Sequence, residues 1–338
     1  MTDPSTLSLT RRVKLPAPPA GLTPAAERPT LSVIIAYYKG ADLIGEAVES
    51  VLAQTLPPDE IVICDDGSPD DVEGALAPYR DRIVLLRKEN GGASTALNAA
   101  ARAARSEWVV QLDQDDTFLP ERLEAIAELA QARPDLDVIA TDAELDRDGT
   151  AVARYNAMHH FEVGDQRSEI IRSCFFGWPA IRRERLLAID GFDASLRVTW
   201  DWDCWVRLIL SGCRAGLVDE PLYRWRLGPD TLSSDLARNA RENLVVLAKV
   251  AADTTLTPQE RAVVAEMKAA HTQRAMLLEA KQSLLAGSAD ARRRSLAVVT
   301  GKGFAPAARA KALVSAVAPA VSRRRLQNQP PSDDLAHR

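Results

Sequence analysis

The run VVQLDQDD, residues 109–116, carries an apolar stretch into three carboxylates, Asp113, Asp115 and Asp116. Adjacent carboxylates repel, which raises the pKa of at least one of them unless a cation intervenes. Hard divalent cations serving phosphate substrates take one or two such oxygen donors. The plain alternative is a solvated turn, with Asp116 capping the helix that follows. A second acidic group, CDDGSPDD, places Asp65 and Asp66 where a carboxylate could accept the imide N–H of uracil or thymine, or a ribose hydroxyl. Its turn composition explains it equally well, and Asp70-Asp71 reads as a helix start. WDWDCW sets Asp201 and Asp203 among Trp200, Trp202 and Trp205, where partial burial lifts a carboxylate toward the range of a general base. The competing reading is a helix N-terminus with acids on its dipole and tryptophans in the core. KENGGASTALN offers Gly91 and Gly92 at a helix start, where backbone amides approach phosphate. It matches no established phosphate fingerprint. LYRWR offers Arg224 and Arg226, which either stabilise a departing diphosphate or decorate a strand.

The elements that must hold these groups are legible from periodicity. LSVIIAYY, EIVICDD, RIVLLR, EWVVQLD and DVIAT are short runs rich in β-branched residues, as strands covered on both faces would be. Between them stand amphipathic segments such as ADLIGEAVESVLAQT and PERLEAIAELAQA. The alternation predicts βαβ crossovers and a largely parallel sheet flanked by helices. Ligands of such sheets bind beyond the carboxyl ends of the strands. Asp65-Asp66 and Asp113/Asp115/Asp116 both fall there, so the two clusters should meet in one crevice. TWDWDCWVRLILSGC reads as a later helix, AGLVDEPLYRWR as a strand or hairpin, and residues 234–286 as Ala-rich helix.

A chain of 338 residues has room for one large domain with an appendage. Its net charge of −5 argues against nucleic acid as a partner. No apolar stretch nears the ~20 residues that span a bilayer. Residues 1–29, rich in Pro and Ala, read as a disordered leader. Cys64, Cys174, Cys204 and Cys213 have no metal-type spacing and read as reduced thiols. Residues 291–326 carry nine Lys and Arg and no acid, a basic tail that suits either an anionic membrane surface or solvent.

In order and spacing, LSVIIAYYKG, VICDDGSPDD, KENGGASTALNAA, VVQLDQDD, GFDASLRVTWDWDCWVRL and PLYRWRLGPDTLS resemble the inverting nucleotide-sugar glycosyltransferases of family 2. The resemblance implies a GT-A fold, a Rossmann-like, mostly parallel sheet flanked by helices, with a helical C-terminal extension. It divides the chain into a transferase domain over 30–233 (nucleotide part 30–142, acceptor and catalytic part 143–233), a helical extension over 234–290 and a partly disordered tail over 291–338. It implies a nucleotide-sugar site formed by Ala36, Tyr38, Asp65, Asp66, Gly91, Gly92, Asn98, Asp113 and Arg226, with Asp66 on the nucleobase. Asp113 and Asp115 become the DXD element, Asp115 the direct ligand of Mg²⁺ or Mn²⁺, and Asp201 the general base. Segment 142–200, with His159, His160, Phe175, Phe176 and Trp178, together with Trp200 and Trp202, falls on the acceptor side.

Five positions depart from the family pattern. Ala36 and Lys39 stand for its usual Pro and Asn, and Leu97 for an Arg before Asn98. Gly228 stands for a late His that can complete a metal site, and Trp200 for an acid before the base. The implied activity is transfer of a sugar from a UDP- or dTDP-sugar to a hydroxyl of a glycan or lipid-linked saccharide, with inversion, in surface-polysaccharide or cell-envelope synthesis. The implied location is cytoplasmic, or peripheral on the inner face of the plasma membrane. Two rivals are a degenerate member that binds nucleotide without turnover and a sugar nucleotidyltransferase. The latter expects a Gly-rich, Arg-containing first loop that AYYKGADLIG lacks.

Overall fold

The computed structural model describes residues 11–228 and 235–327. The chain divides into two compact units, residues 1–229 and 230–338. The first begins with β1 (Val13–Lys14), β2 (Leu31–Tyr37), α1 (Ile44–Leu52), β3 (Glu60–Asp65), α2 (Val72–Leu76), β4 (Val84–Arg87) and α3 (Ala93–Ala103). It continues through β5 (Trp108–Asp113), β6 (Thr117–Phe118), α4 (Arg122–Ala132), β7 (Val138–Arg147), β8 (Thr150–Arg154) and α5 (Tyr155–Met158). It ends with α6 (Gln166–Arg172), β9 (Ala180–Arg182), α7 (Arg183–Ala188), α8 (Trp200–Leu210) and β10 (Ala215–Arg226).

One sheet runs β1-β10-β7-β9-β5-β2-β3-β4, with β6 on β10 and β8 on β7. The strands predicted from apolar runs form its parallel half: β2 lies between β3 and β5, and β4 follows β3. Leu31, Val33, Ile34 and Ile35 are buried, as a central strand covered on both faces requires. Helix α1 buries Ile44, Ala47, Val48 and Val51, the i, i+3, i+4, i+7 stripe of an amphipathic helix. Fully burying each of its two valines contributes about 1.5–3 kcal/mol.

The sheet is mixed rather than mostly parallel. β9 is wedged antiparallel between β5 and β7, and β1, β6 and β8 are antiparallel to their neighbours. Three residues of β9 are too few to show a period, so only tertiary pairing defines it. β4 is an exposed edge, unlike the buried strand its composition suggests.

Residues 11–29 depart from the expected disordered leader. β1 covers the edge of β10, and Arg11 bridges Glu121, Glu124, Glu128 and Glu220. Composition shows neither the open strand edge nor the glutamates waiting for a cation. Residues 1–10 lie outside the described residues.

The second unit is helical: α9 (Leu236–Ala251), α10 (Pro258–Leu285), α11 (Ala291–Thr300), α12 (Pro306–Val317) and α13 (Pro319–Gln327). Thr257 starts α10 with a reciprocal capping box to Glu260. Basic residues 291–327 are largely helical; Phe304, Val298, Ala280 and Ala312 give them a small core. Residues 328–338 lie outside the described residues. Among the described residues, no helix is long and apolar enough to cross a membrane.

Candidate active site

The carboxyl ends of β2, β3 and β5 are level. Ala36 pairs with Cys64 on one side and Asp113 on the other, and Tyr37 pairs with Asp65. The two acidic clusters therefore flank the end of β2, as the strand-end positions predict.

Each acid of DQDD has a different job. Asp113 ends β5; its Oδ1 accepts from Gln111 Nε2 at 3.1 Å and its Oδ2 from the Trp178 indole N–H at 2.9 Å. Burial pushes its carboxyl up to about 6, with the charge of Asp115 adding to the rise and the two N–H donors opposing it. Asp115 is half-buried and makes no hydrogen bond or ion pair among the described residues. Asp116 is buried: Oδ2 accepts from Tyr223 Oη at 2.7 Å and Oδ1 from the Arg226 backbone N–H at 2.8 Å. Burial and the charges of Asp113 and Asp115 hold it well above the usual carboxylate range. It caps no helix, since α4 begins six residues later behind Glu121; it ties the turn to β10 instead.

The amide between the acids is structural, a role the sequence does not announce. Gln114 Oε1 accepts from the Tyr38 N–H at 2.7 Å and its Nε2 donates to the Tyr38 carbonyl at 2.9 Å. This clamps the loop after β2, where Lys39 has φ +53° and donates its N–H to Ser68 Oγ at 2.8 Å. Asp70 holds the same loop, accepting from Tyr37 Oη at 2.7 Å and from the N–H groups of Gly40 and Ala41. Asp71 alone caps α2, through the Gly74 N–H.

Asp66 corrects one expectation. Its carboxylate accepts from Lys88 Nζ at 2.6 Å and from the N–H groups of Gly91 and Gly92, the latter at 2.7 Å. The Gly-Gly amides thus face a protein carboxylate rather than standing open to a phosphate. Helix α3 presents its positive end, and Asp66 is the anion already beside it. Asp65 is buried, with Oδ1 on the Ser68 N–H at 2.7 Å and Oδ2 3.1 Å from Arg87 Nε.

Asp201 stands in the first turn of α8, and its Oδ1 accepts from the Trp202 N–H at 2.7 Å. Burial pushes it up to about 6; that N–H opposes the shift, and the charge of Asp113 adds to it. The two acids, far apart in sequence, therefore share one electrostatic field. Tyr155 and Cys174 also feel Asp201, which places segment 155–178 around the same centre. Asp203 is an anchor: it pairs with Arg207 at 2.7 Å, and Arg207 donates to the carbonyls of Ile189 and Gly191.

The tryptophans divide. Trp178, at φ +44°, stacks on Tyr223 with ring centroids 4.5 Å apart while holding Asp113. Trp200 is half-buried, edge-on to Phe192 at 5.1 Å. Trp202 leaves the acceptor set, since it is buried with its indole N–H on the Ile170 carbonyl at 2.7 Å. Phe175 and Phe176 are core residues as well, packed with Phe161 and Trp205. His159 stacks on Tyr155 at 4.3 Å, and His160 is exposed.

Asn98 and Arg226 are also placed differently from the expected donor contacts. Asn98 is buried and bonds both backbone groups of Phe192, at 2.8 and 2.7 Å. Gly191 has φ +71°, and a Cβ there would lie 2.1 Å from Asn98 Oδ1, so this turn requires glycine. Arg226 pairs with Glu46, and Arg224 with Glu144. Ala36 and Tyr38 stay at the crevice, half-buried and exposed.

Sequence reasoning missed Arg122. Fully buried without a carboxylate partner, it lies between the Phe118 and Tyr223 rings at 4.7 and 4.9 Å. It donates to Thr141 Oγ1 and the Trp178 carbonyl, and burial pushes it down to about 9. Nothing in PERLEA marks it, because its partners come from three distant segments.

Among the described residues, no group of three or more His, Cys, Asp and Glu side chains is arranged to hold a metal. The donor set still fits a hard divalent cation of the kind that shares its shell with a diphosphate. Asp115 is a carboxylate without a partner among the described residues, and Asp113 and Asp116, raised mainly by burial, are raised further by the neighbouring acids. Gly228 adds no side-chain donor, and the rest of the late motif, residues 229–234, lies outside the described residues.

Residues 32–188 match the model of the family described as glycosyl transferase family 2. An uncharacterized glycosyltransferase of Rickettsia prowazekii is 30% identical over 188 residues, 53% of this chain and 58% of that protein. The chain therefore spans less than two thirds of that relative's length. TuaG of Bacillus subtilis, provisionally named a teichuronic acid biosynthesis glycosyltransferase, is 29% identical over 228 residues, 66% of this chain and 89% of TuaG. S. aureus TarS (1–349), solved with UDP-GlcNAc, superposes with a TM-score of 0.61 at 19% identity over 88% of this chain and 90% of that one. Over residues 32–188 the chain matches glycosyltransferase family 2, and its fold is the GT-A fold of the superposed transferase.

Proposed function

We propose that the protein is an inverting glycosyltransferase that moves a sugar from a UDP- or dTDP-sugar to a hydroxyl of a glycan or lipid-linked saccharide. The observation that carries this reading is the pairing of Asp113 and Asp201: two half-buried acids in one field, each pushed up to about 6, beside Asp115, which has no partner among the described residues. The nucleotide lies across the ends of β2, β3 and β5, its base toward Asp65 and Asp66 and its diphosphate toward Asp113 and Asp115. A Mg²⁺ or Mn²⁺ ion held by Asp115, with Asp113, would neutralise the leaving diphosphate.

The chain's own residues supply the rest. Gln111 and Trp178 orient Asp113, and Asp116 with Tyr223 holds the turn in which Asp115 stands. Asp201 accepts the acceptor's hydroxyl proton as that oxygen bonds to the anomeric carbon and the bond to the diphosphate oxygen breaks. Attack from the face opposite the leaving group inverts the configuration. A base near 6 is ionised at neutral pH yet holds a proton better than an ordinary aspartate.

The likeness to TuaG supports a role in cell-envelope polysaccharide synthesis, and a cytoplasmic or inner-membrane-peripheral site of action goes with that reading. The test is a panel of donor nucleotides scored by nucleoside diphosphate release with and without Mn²⁺, followed by NMR of the product's anomeric configuration. A product of retained configuration would sink the mechanism. The ion pair of Lys88 with Asp66 balances that carboxylate's charge at the base end of the site. Gly228 favours one alternative, a nucleotide-binding protein without turnover. Calorimetric binding of UDP with Mn²⁺ and no release from any donor would support that alternative.

A further inference from the structure

We propose that the outward face of α12 and α13 docks on an anionic lipid surface, an inference that goes beyond the sugar-transfer reading and does not depend on it. Helix α12 has two apolar stripes. Ala312 and Ala316 are buried, Ala312 within the small core around Phe304 and Val298. The other stripe has nothing over it: Leu313, Val314 and Val317 are 49%, 55% and 73% exposed, and Val321 of α13 is 63% exposed. Single exposed apolar residues are ordinary, but consecutive turns of them along one face are not.

At 3.6 residues per turn, Leu313, Val317 and Val314 fall within about 100° of the α12 circumference, with Ala310 inside the same arc. Arg309 lies about 40° beyond one edge and Lys311 about 60° beyond the other. An apolar strip with a cation on each flank suits insertion at a headgroup boundary, where long basic side chains reach up to phosphate. The surrounding sequence has the same sign: residues 291–327 hold nine Lys and Arg and no Asp or Glu. Lys311, Arg324 and Arg325 are exposed and meet no carboxylate among the described residues. A second copy of the face, paired about a two-fold axis, would bring these rows of like charge together. Charge therefore favours the anionic bilayer over self-association.

The experiment is co-sedimentation of the full chain with phosphatidylcholine vesicles, with and without phosphatidylglycerol. Binding is expected only with the anionic lipid. It should fall roughly tenfold or more in Leu313→Gln/Val317→Gln and, separately, in Arg309→Gln/Lys311→Gln. Circular dichroism must match the parent. Val317→Gln alone, at the most exposed position, serves if the double variant loses helix. Equal binding of parent and apolar variant would overturn the proposal, because charge without insertion would then explain the attraction. A lipid-free dimer seen by light scattering and dissociated by the apolar variant would also overturn it, by assigning the face to a second copy. No binding to anionic vesicles would end it outright.

Discussion

On the proposed mechanism, lowering the pH should stop the reaction at Asp201, the group that would take the acceptor proton. Burial moves Asp201 from an ordinary 3.8 to about 6. The competent form is the carboxylate, so activity is present above that value and lost as pH falls through it. At pH 7 about ten Asp201 groups in eleven are ionised; at pH 5 about one in eleven is. With donor, acceptor and divalent cation in place, kcat/KM should be level above about pH 7 and fall roughly tenfold per pH unit below 6. Saturating cation matters, because Asp113 titrates in the same range and its charge raises Asp201. A cation at Asp115 keeps Asp113 ionised and leaves one acid limb to read. Asp201→Asn should lower kcat by roughly 10²–10⁴-fold, and its residual rate should show no limb near 6. Nucleoside diphosphate release over pH 4.5–8.5, about a unit and a half beyond the expected limb on its acid side, reads both quantities. A limb near 6 that survives in Asp201→Asn, or a parent profile level down to pH 5, would refute the assignment.

Three further outcomes follow from the same geometry. Asp115→Ala removes the unpartnered carboxylate and should abolish Mn²⁺-dependent UDP binding in calorimetry while leaving the melting temperature nearly unchanged, since no described contact is lost. Trp178→Phe keeps a ring on Tyr223 but deletes the 2.9 Å bond to Asp113; Mn²⁺ affinity should weaken roughly tenfold, the worth of one hydrogen bond to a charged group. Asn98→Ala breaks two buried bonds to Phe192 and should cost about 1–3 kcal/mol in urea unfolding. An unchanged urea midpoint would show that the Gly191-Phe192 turn stands without it.

Much of the site was legible because the acids sit at strand ends. β2, β3 and β5 are apolar runs long enough to define themselves, and a parallel sheet brings their carboxyl ends level. The convergence of Asp65-Asp66 with Asp113 follows from that alone. Asp201 was legible as a candidate because an acid among tryptophans must either be buried or cap a helix; in the structure it stands half-buried in the first turn of α8.

Tertiary structure decided which polar groups remain available. Asp66, Asp116 and Asn98 all look like ligands in the sequence, yet each already has a partner that a different segment delivers. Asp115 is set apart only because nothing reaches it. A sequence records which donors and acceptors exist, and local periodicity arranges them along each strand or helix. Pairing among them depends on positions within about 3 Å across segments that packing alone brings together. So the sequence by itself determined the parallel half of the sheet, the strand ends and the acids on them. The fold decided the wedge of β9 that delivers Trp178 to Asp113, the buried Arg122 behind it, and Asp115 at the strand end with no partner among the described residues.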